Sequence, residues 1–103
     1  MHIKTDGNRY YVYIVTNKKR SILRPGATGD LEYRLASLKR EQDRGTRDDG
    51  SCTQLIYWEM CDDATSAVER SEEIAKWSRR KTEALIEARN PTWESLDEEV
   101  YDI

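Results

Sequence analysis

The side chains able to do chemistry in this chain of 103 residues are mostly phenols, guanidiniums and carboxylates. His2 is the only histidine and sits in a terminal segment, where a Ser-His-Asp or Cys-His arrangement would be hard to hold in place. With one histidine and two cysteines, Cys52 and Cys61, no Cys/His zinc set can be written. Two thiols are also too few for a disulfide framework and read as reduced, structural residues. Chemistry must therefore come from tyrosine, arginine, glutamate or a metal. Tyrosines cluster at Tyr10, Tyr11 and Tyr13, and carboxylates at Glu69, Glu72 and Glu73. Cations at Lys18, Lys19, Arg20, Arg24, Arg34, Arg44 and Arg47 form a candidate phosphate-facing set. Taken alone, the charged stretch 18–20 reads equally as an exposed turn with weak, salt-sensitive attraction for phosphate.

The elements that must position these groups follow from hydrophobic period. Residues 9–17 are rich in β-branched and aromatic side chains and read as a strand leading into a polar hairpin turn. Residues 21–24 form the return strand, ended by Pro25 and Gly26. From Asp30, a candidate N-cap, Leu31, Leu35 and Leu38 recur at helical spacing, which predicts an amphipathic helix to about Arg44. Residues 45–53 read as a loop. Residues 54–61 are apolar on both alternating faces, as in a central strand. Asp62 and Asp63 offer caps for a helical stretch over 64–89, with a bend near Ser78 and a stop at Asn90-Pro91. Trp58, Trp77 and Trp93 read as packing residues, since their spacing does not suggest a base-stacking platform. The order strand, strand, helix, strand, helix implies an α/β (α+β type) fold on a small mixed three-stranded sheet.

Hydrophobic residues make up 37% and charged residues 36% of the chain, enough for one modest core. No apolar run is long enough to span a bilayer, and the first residues lack the apolar core of a signal peptide, so the expectation is a soluble cytoplasmic protein with no membrane partner. The net charge of -3 is unevenly spread. Residues 1–50 hold 11 Lys+Arg against 7 Asp+Glu, whereas residues 51–103 hold 6 against 13. Glu94, Asp97, Glu98, Glu99 and Asp102 account for much of this, so a weakly basic body carries an acidic tail.

The strand Tyr11-Val12-Tyr13-Ile14, the stretch Gly26-Ala27-Thr28-Gly29-Asp30-Leu31 leading to Arg34, the helix segment from Ala67 to Trp77 and Asn90-Pro91-Thr92-Trp93 occur in an order that resembles the GIY-YIG nuclease superfamily. The closer likeness is to small single-domain proteins related to the nuclease domain of excinuclease ABC. The resemblance divides the chain into an N-terminal extension, 1–8, the domain, 9–96, and the acidic tail, 97–103. It implies metal-dependent hydrolysis of a nucleic-acid phosphodiester, in which a tyrosine helps activate water, an arginine stabilises the transition state and a glutamate holds one divalent ion. On this chain the first two roles would fall on Tyr13 and Arg34, and Asn90 matches the family asparagine near the end of the motif set as a further candidate site residue. Three positions depart from the pattern. The second tyrosine is Arg24, a guanidinium that cannot accept a proton. The helix histidine is Leu38, and the metal-holding glutamate is Ser71. The positions sharing the face of Ser71 are Ala67, Val68, Ile74 and Ala75, none of them acidic. The expectation is therefore a catalytically impaired or silent domain that binds DNA, RNA or a protein, with no cofactor. One alternative is an active Mg²⁺- or Mn²⁺-dependent endonuclease with a site rebuilt from Glu69, Glu72 or Glu73 and a tyrosine at 10, 11 or 13. Another is a protein-interaction domain with no affinity for nucleic acid.

Overall fold

The computed structural model describes residues 9–43 and 52–100, with no account of the side chains of residues 42 and 43. His2, Arg44 and Arg47 therefore lie outside the described residues, as does most of the expected loop. Alternation of apolar side chains builds β1 (Tyr10–Thr16), which pairs antiparallel with β2 (Leu23–Thr28) on one side and β3 (Gln54–Cys61) on the other. Between them, α1 (Leu31–Asp43) links β2 to β3, and α2 (Ala64–Ala75), α3 (Arg79–Arg89) and the short α4 (Asp97–Val100) follow. The α/β class stands, but the sheet is antiparallel in both pairings where a mixed one was expected. β2 and β3 run the same way, yet β1 lies between them and no parallel pair forms.

The order β2-β1-β3 also moves residues 54–61 from the centre to an edge. Apolar content on both faces of β3 reflects helices covering both faces, and its outer edge is closed by the chain that follows α3. Leu96 N–H donates to the Leu55 carbonyl at 2.8 Å, the Asn90 amide to the Ile56 carbonyl at 3.0 Å, and Arg89 to the Trp58 carbonyl. β2 in turn runs through Pro25 and Gly26 to Thr28 instead of stopping at Arg24. Pro25 is tolerated because β2 is an edge strand, where alternate N–H groups point away from the neighbour.

The period of two splits the core into two layers. Tyr11, Tyr13 and Val15 pack with Leu31, Leu35, Leu55 and Val100 on the α1 face, and Val12 and Ile14 pack with Ile56, Ala67, Ile74 and Ile86 on the α2/α3 face. A bulge in β3 pairs Ile14 with Tyr57 and Val15 with Leu55, so consecutive Ile56 and Tyr57 both turn to the α2/α3 layer. The three longer helices begin as their sequence dictates. Asp30 accepts from Tyr33 N–H at 2.9 Å, Asp63 from Ser66 N–H at 2.7 Å and Ser78 from Lys81 N–H at 3.2 Å. The Ser78 cap divides the stretch 64–89 into α2 and α3 where a bend was expected.

The segment read as a tail from residue 97 is a helical turn over Asp97–Val100. Val100 is buried on the α1 face, Asp97 pairs with Lys39 at 2.8 Å and Trp58 Nε1 donates to Glu99 at 3.0 Å. Apolar Val100 and the groups available to Asp97 and Glu99 draw this stretch onto the domain despite its charge; residues 101–103 lie outside the described residues. Among the described residues no helix is long and apolar enough to cross a membrane.

Candidate functional site

Strand alternation places Tyr13 on the α1 face, and the register sets it opposite Gly26 of β2. Because Gly26 has no side chain, the phenol lies across the neighbouring strand; a Cβ there would come within 2.3 Å of Tyr13 Oη. Arg34, in the second turn of α1, donates from Nε to Tyr13 Oη at 3.1 Å. That hydrogen bond raises the guanidinium pKa further, against a smaller desolvation effect in the opposite direction. Among the described residues no carboxylate forms an ion pair with Arg34. The corner thus presents a permanent cation oriented by a phenol, which suits an anion. Arg24 is exposed two residues before Gly26, on the same face of β2, and its charge opposes the effect of burial that raises the Cys52 thiol pKa. Leu38 packs against the α1-face core. A guanidinium and a packed aliphatic side chain thus stand where the resemblance would put a second phenol and an imidazole.

Ser71 is buried on α2 beside Ala67 and Ile74, and those two pack into the layer on the other face of the sheet from Tyr13. Its hydroxyl donates to the Val68 carbonyl of its own helix at 3.0 Å. Glu69 and Glu72 are exposed, and Glu73 pairs with Arg70 at 3.4 Å. Magnesium and manganese sites are built on carboxylate oxygens. A neutral hydroxyl engaged with its own helix does not fit a divalent ion, and among the described residues no three His, Cys, Asp or Glu side chains converge.

Asn90 is not brought to the Tyr13–Arg34 corner. It is buried at the outer edge of β3, where Nδ2 donates to the carbonyls of Ile56 at 3.0 Å and Glu94 at 2.9 Å, and Oδ1 accepts from Glu94 N–H at 3.0 Å. Every polar atom of that amide is engaged in closing the sheet edge. The cations of the β1–β2 turn are also drawn away from the corner. Asn17 Oδ1 clamps the turn by accepting from Ser21 and Ile22 N–H at 2.8 and 3.0 Å, and Arg20 takes a left-handed backbone, φ 59°. Arg79 of α3 donates to the Ser21 and Arg20 carbonyls, both at 2.8 Å, while Arg20 donates to the Trp93 carbonyl at 3.2 Å. Lys18 and Lys19 are exposed on the same turn.

Two groupings lie outside the set read from the sequence. On the α2/α3 face Tyr57 donates a short hydrogen bond to Glu59, which also pairs with Arg70 at 2.8 Å. Burial, then the bond to Glu59, pushes the Tyr57 phenol up to about 12. Burial would raise the Glu59 carboxyl, but hydrogen bonds from Arg70 and Tyr57 outweigh it and leave the group below its ordinary value. No local spacing announces this cluster, since Arg70 comes from another element. The second grouping, Lys76, Arg79, Arg80 and Lys81, does carry a signal: these four cations fall within six residues that contain no acid.

Comparison with known proteins fits this architecture. A solution NMR structure of the UPF0213 protein BH0048 from Bacillus halodurans superposes with a TM-score of 0.53 at 28% identity, covering 84% of this chain and 92% of that one. No curated protein matches the chain. The family model for the GIY-YIG catalytic domain matches residues 9–84, which span β1 to the middle of α3, and the chain belongs to the GIY-YIG family.

Proposed function

We propose that this chain is a GIY-YIG domain that binds nucleic acid, DNA or RNA, without hydrolysing it, and that it acts in the cytoplasm. The observation that carries the reading is the contrast between Arg34, held by Tyr13 at 3.1 Å, and Ser71, whose hydroxyl is committed to its own helix where the family pattern calls for a metal-holding carboxylate. The group that would meet a phosphate is retained, and the group that would anchor the ion is gone. Electrostatic stabilisation of the transferring phosphoryl group is typically the largest catalytic contribution, so losing the metal anchor removes activity while leaving anion affinity.

The test incubates the full chain with supercoiled plasmid and with labelled DNA and RNA in Mg²⁺ or Mn²⁺. The expected result is salt-dependent binding, weakened several-fold by Arg34→Gln, with no nicking that responds to chelator. Chelator-sensitive nicking by the native chain would overturn the reading in favour of a rebuilt site. Absence of binding at any salt concentration would favour a protein-interaction domain.

A further inference from the structure

The β1–β2 turn and the junction of α2 with α3 are separated by more than 50 residues in sequence, yet Arg79 fastens one to the other through the Ser21 and Arg20 carbonyls. This brings the exposed cations Lys18 and Arg20 to the same end of the molecule as Lys76, Arg80 and Lys81. None of the five has an ion pair with a carboxylate among the described residues; their neighbour Arg79 pairs with Glu83 at 2.7 Å. Two of the five are held in orientation. Arg20 is tied to the Trp93 carbonyl, and the Lys81 ammonium lies 4.3 Å from the centroid of Trp77, whose ring also carries the Arg70 guanidinium at 5.2 Å.

Beside these cations is an open cleft of about 250 Å³, lined by Leu23, Pro25, Ile74, Ala75, Trp77, Arg79 and Thr82. Apolar and polar groups share its exposed surface almost evenly, and it opens on the α2/α3 side of β2, away from Tyr13 and Arg34. A group of cations bordering a cleft with both apolar and polar walls suits a polymer that carries anions along its backbone and flat bases with polar edges. A duplex keeps its bases stacked inside, whereas a single strand can turn one into a pocket while its phosphates follow the cations.

We propose that the hairpin-to-α2/α3 junction is a binding surface for single-stranded nucleic acid, with phosphates on Lys18, Arg20, Lys76, Arg80 and Lys81 and an unstacked base in the cleft. It rests on the nucleic-acid reading above for the class of partner, and not on the Tyr13–Arg34 corner. β2 contributes to both regions, Leu23 and Pro25 to the cleft and Arg24 to the corner, so one strand can reach both around that edge.

The experiment measures fluorescence anisotropy of labelled single strands of DNA and RNA, and of their duplexes, over a salt series. Four proteins are compared: the native chain, the variant Lys76→Glu/Arg80→Glu/Lys81→Glu, Ala75→Trp, which fills the cleft from the exposed end of α2, and Arg24→Glu/Arg34→Gln at the other corner. Arg79 is left intact to keep the hairpin docked, and circular dichroism and urea midpoints check that each variant is folded. The native chain is expected to prefer single strands, with a log–log salt slope of about −3 for roughly four phosphate contacts. Charge reversal is expected to lower single-strand affinity about tenfold or more and to flatten the slope. Ala75→Trp is expected to weaken single-strand binding and leave duplex binding unchanged. Native-like binding by both variants, together with loss on Arg24→Glu/Arg34→Gln, would overturn this surface and spare the nucleic-acid reading. No binding to any oligonucleotide would overturn both. A preference for duplex, or equal competition by polyglutamate, would overturn the single-strand assignment.

Discussion

Two tyrosine–arginine pairs sit on opposite faces of the same three-stranded sheet, and they differ by one carboxylate. On the α2/α3 face Glu59 stands between Tyr57 and Arg70 and takes a hydrogen bond from each, and Arg70 also pairs with Glu73. On the α1 face Tyr13 and Arg34 meet directly, with no ion-paired carboxylate among the described residues. The first pair is complete in itself. In the second, the phenol orients a guanidinium that forms no ion pair among the described residues and feels Glu41 only through space, which leaves room for the external anion proposed above. A stability role and a binding role can thus be told apart by whether the charge is balanced inside the fold.

The largest effect is expected where the α1-face pair depends on a missing side chain. In Gly26→Ala the new Cβ would meet Tyr13 Oη at 2.3 Å and Cζ at 2.5 Å, and the ring it meets is buried in the core. A loss of about 3 kcal/mol in urea unfolding, the upper end for overpacking, is expected, together with a weakened Tyr13–Arg34 contact. A loss below about 0.5 kcal/mol would show that the phenol swings away freely and that the corner is not rigid.

Next come the two pairs themselves. Glu59→Gln unbalances the network between Tyr57 and Arg70, whose Arg70 and Glu59 side chains are only 29% and 24% exposed. About 1–2 kcal/mol should be lost, reduced from the fully buried case by solvent screening. Tyr13→Phe removes one hydrogen bond to a charge that water can still reach and should cost less, about 0.5–1 kcal/mol. Its larger effect is expected on nucleic-acid affinity. The reverse order in parallel urea titrations would break the distinction between the faces.

The last effect is a pH dependence carried chiefly by the α2/α3 face, beside a smaller alkaline contribution from the raised Cys52 thiol on the α1 face. The folded Tyr57 phenol lies near 12, above its ordinary 10, so its contribution is complete below pH 10 and lost as pH rises from 10 to 12. Glu59 lies below its ordinary 4.5, so its contribution is present above that value and lost as pH falls through the lowered one. Tyr57→Phe should flatten the alkaline limb of urea midpoints against pH. An unchanged limb would show that another group carries it.

Much of the fold was readable because it depends on neighbours in the chain. Alternation over residues 10–16 assigns Tyr11, Tyr13 and Val15 to one face and Val12 and Ile14 to the other, and Asp30, Asp63 and Ser78 start helices with their own side chains. That no acid shares the buried face of Ser71 was equally readable, because helical rotation alone shows it. Other features were hidden for lack of a local signature. Residues 54–61 read as central because both faces are apolar, and composition is blind to whether a strand or the 89–97 segment covers the outer edge. Asn90 matched a motif, but its three amide hydrogen bonds join Ile56 and Glu94 around that edge.

By itself the sequence determined the alternation, the caps, the presence of Arg24, Leu38 and Ser71 at the positions the resemblance singles out, and the cations in the 18–20 and 76–81 runs. These depend on backbone geometry and residue type, which act over a few positions. Only the tertiary structure decided the lateral order of the strands, the closing of β3 by the C-terminal segment, the Tyr57–Glu59–Arg70 network and the docking of the first hairpin on the last long helix. Each joins groups far apart in the chain, and ordering them costs conformational entropy that only the cooperatively packed core offsets.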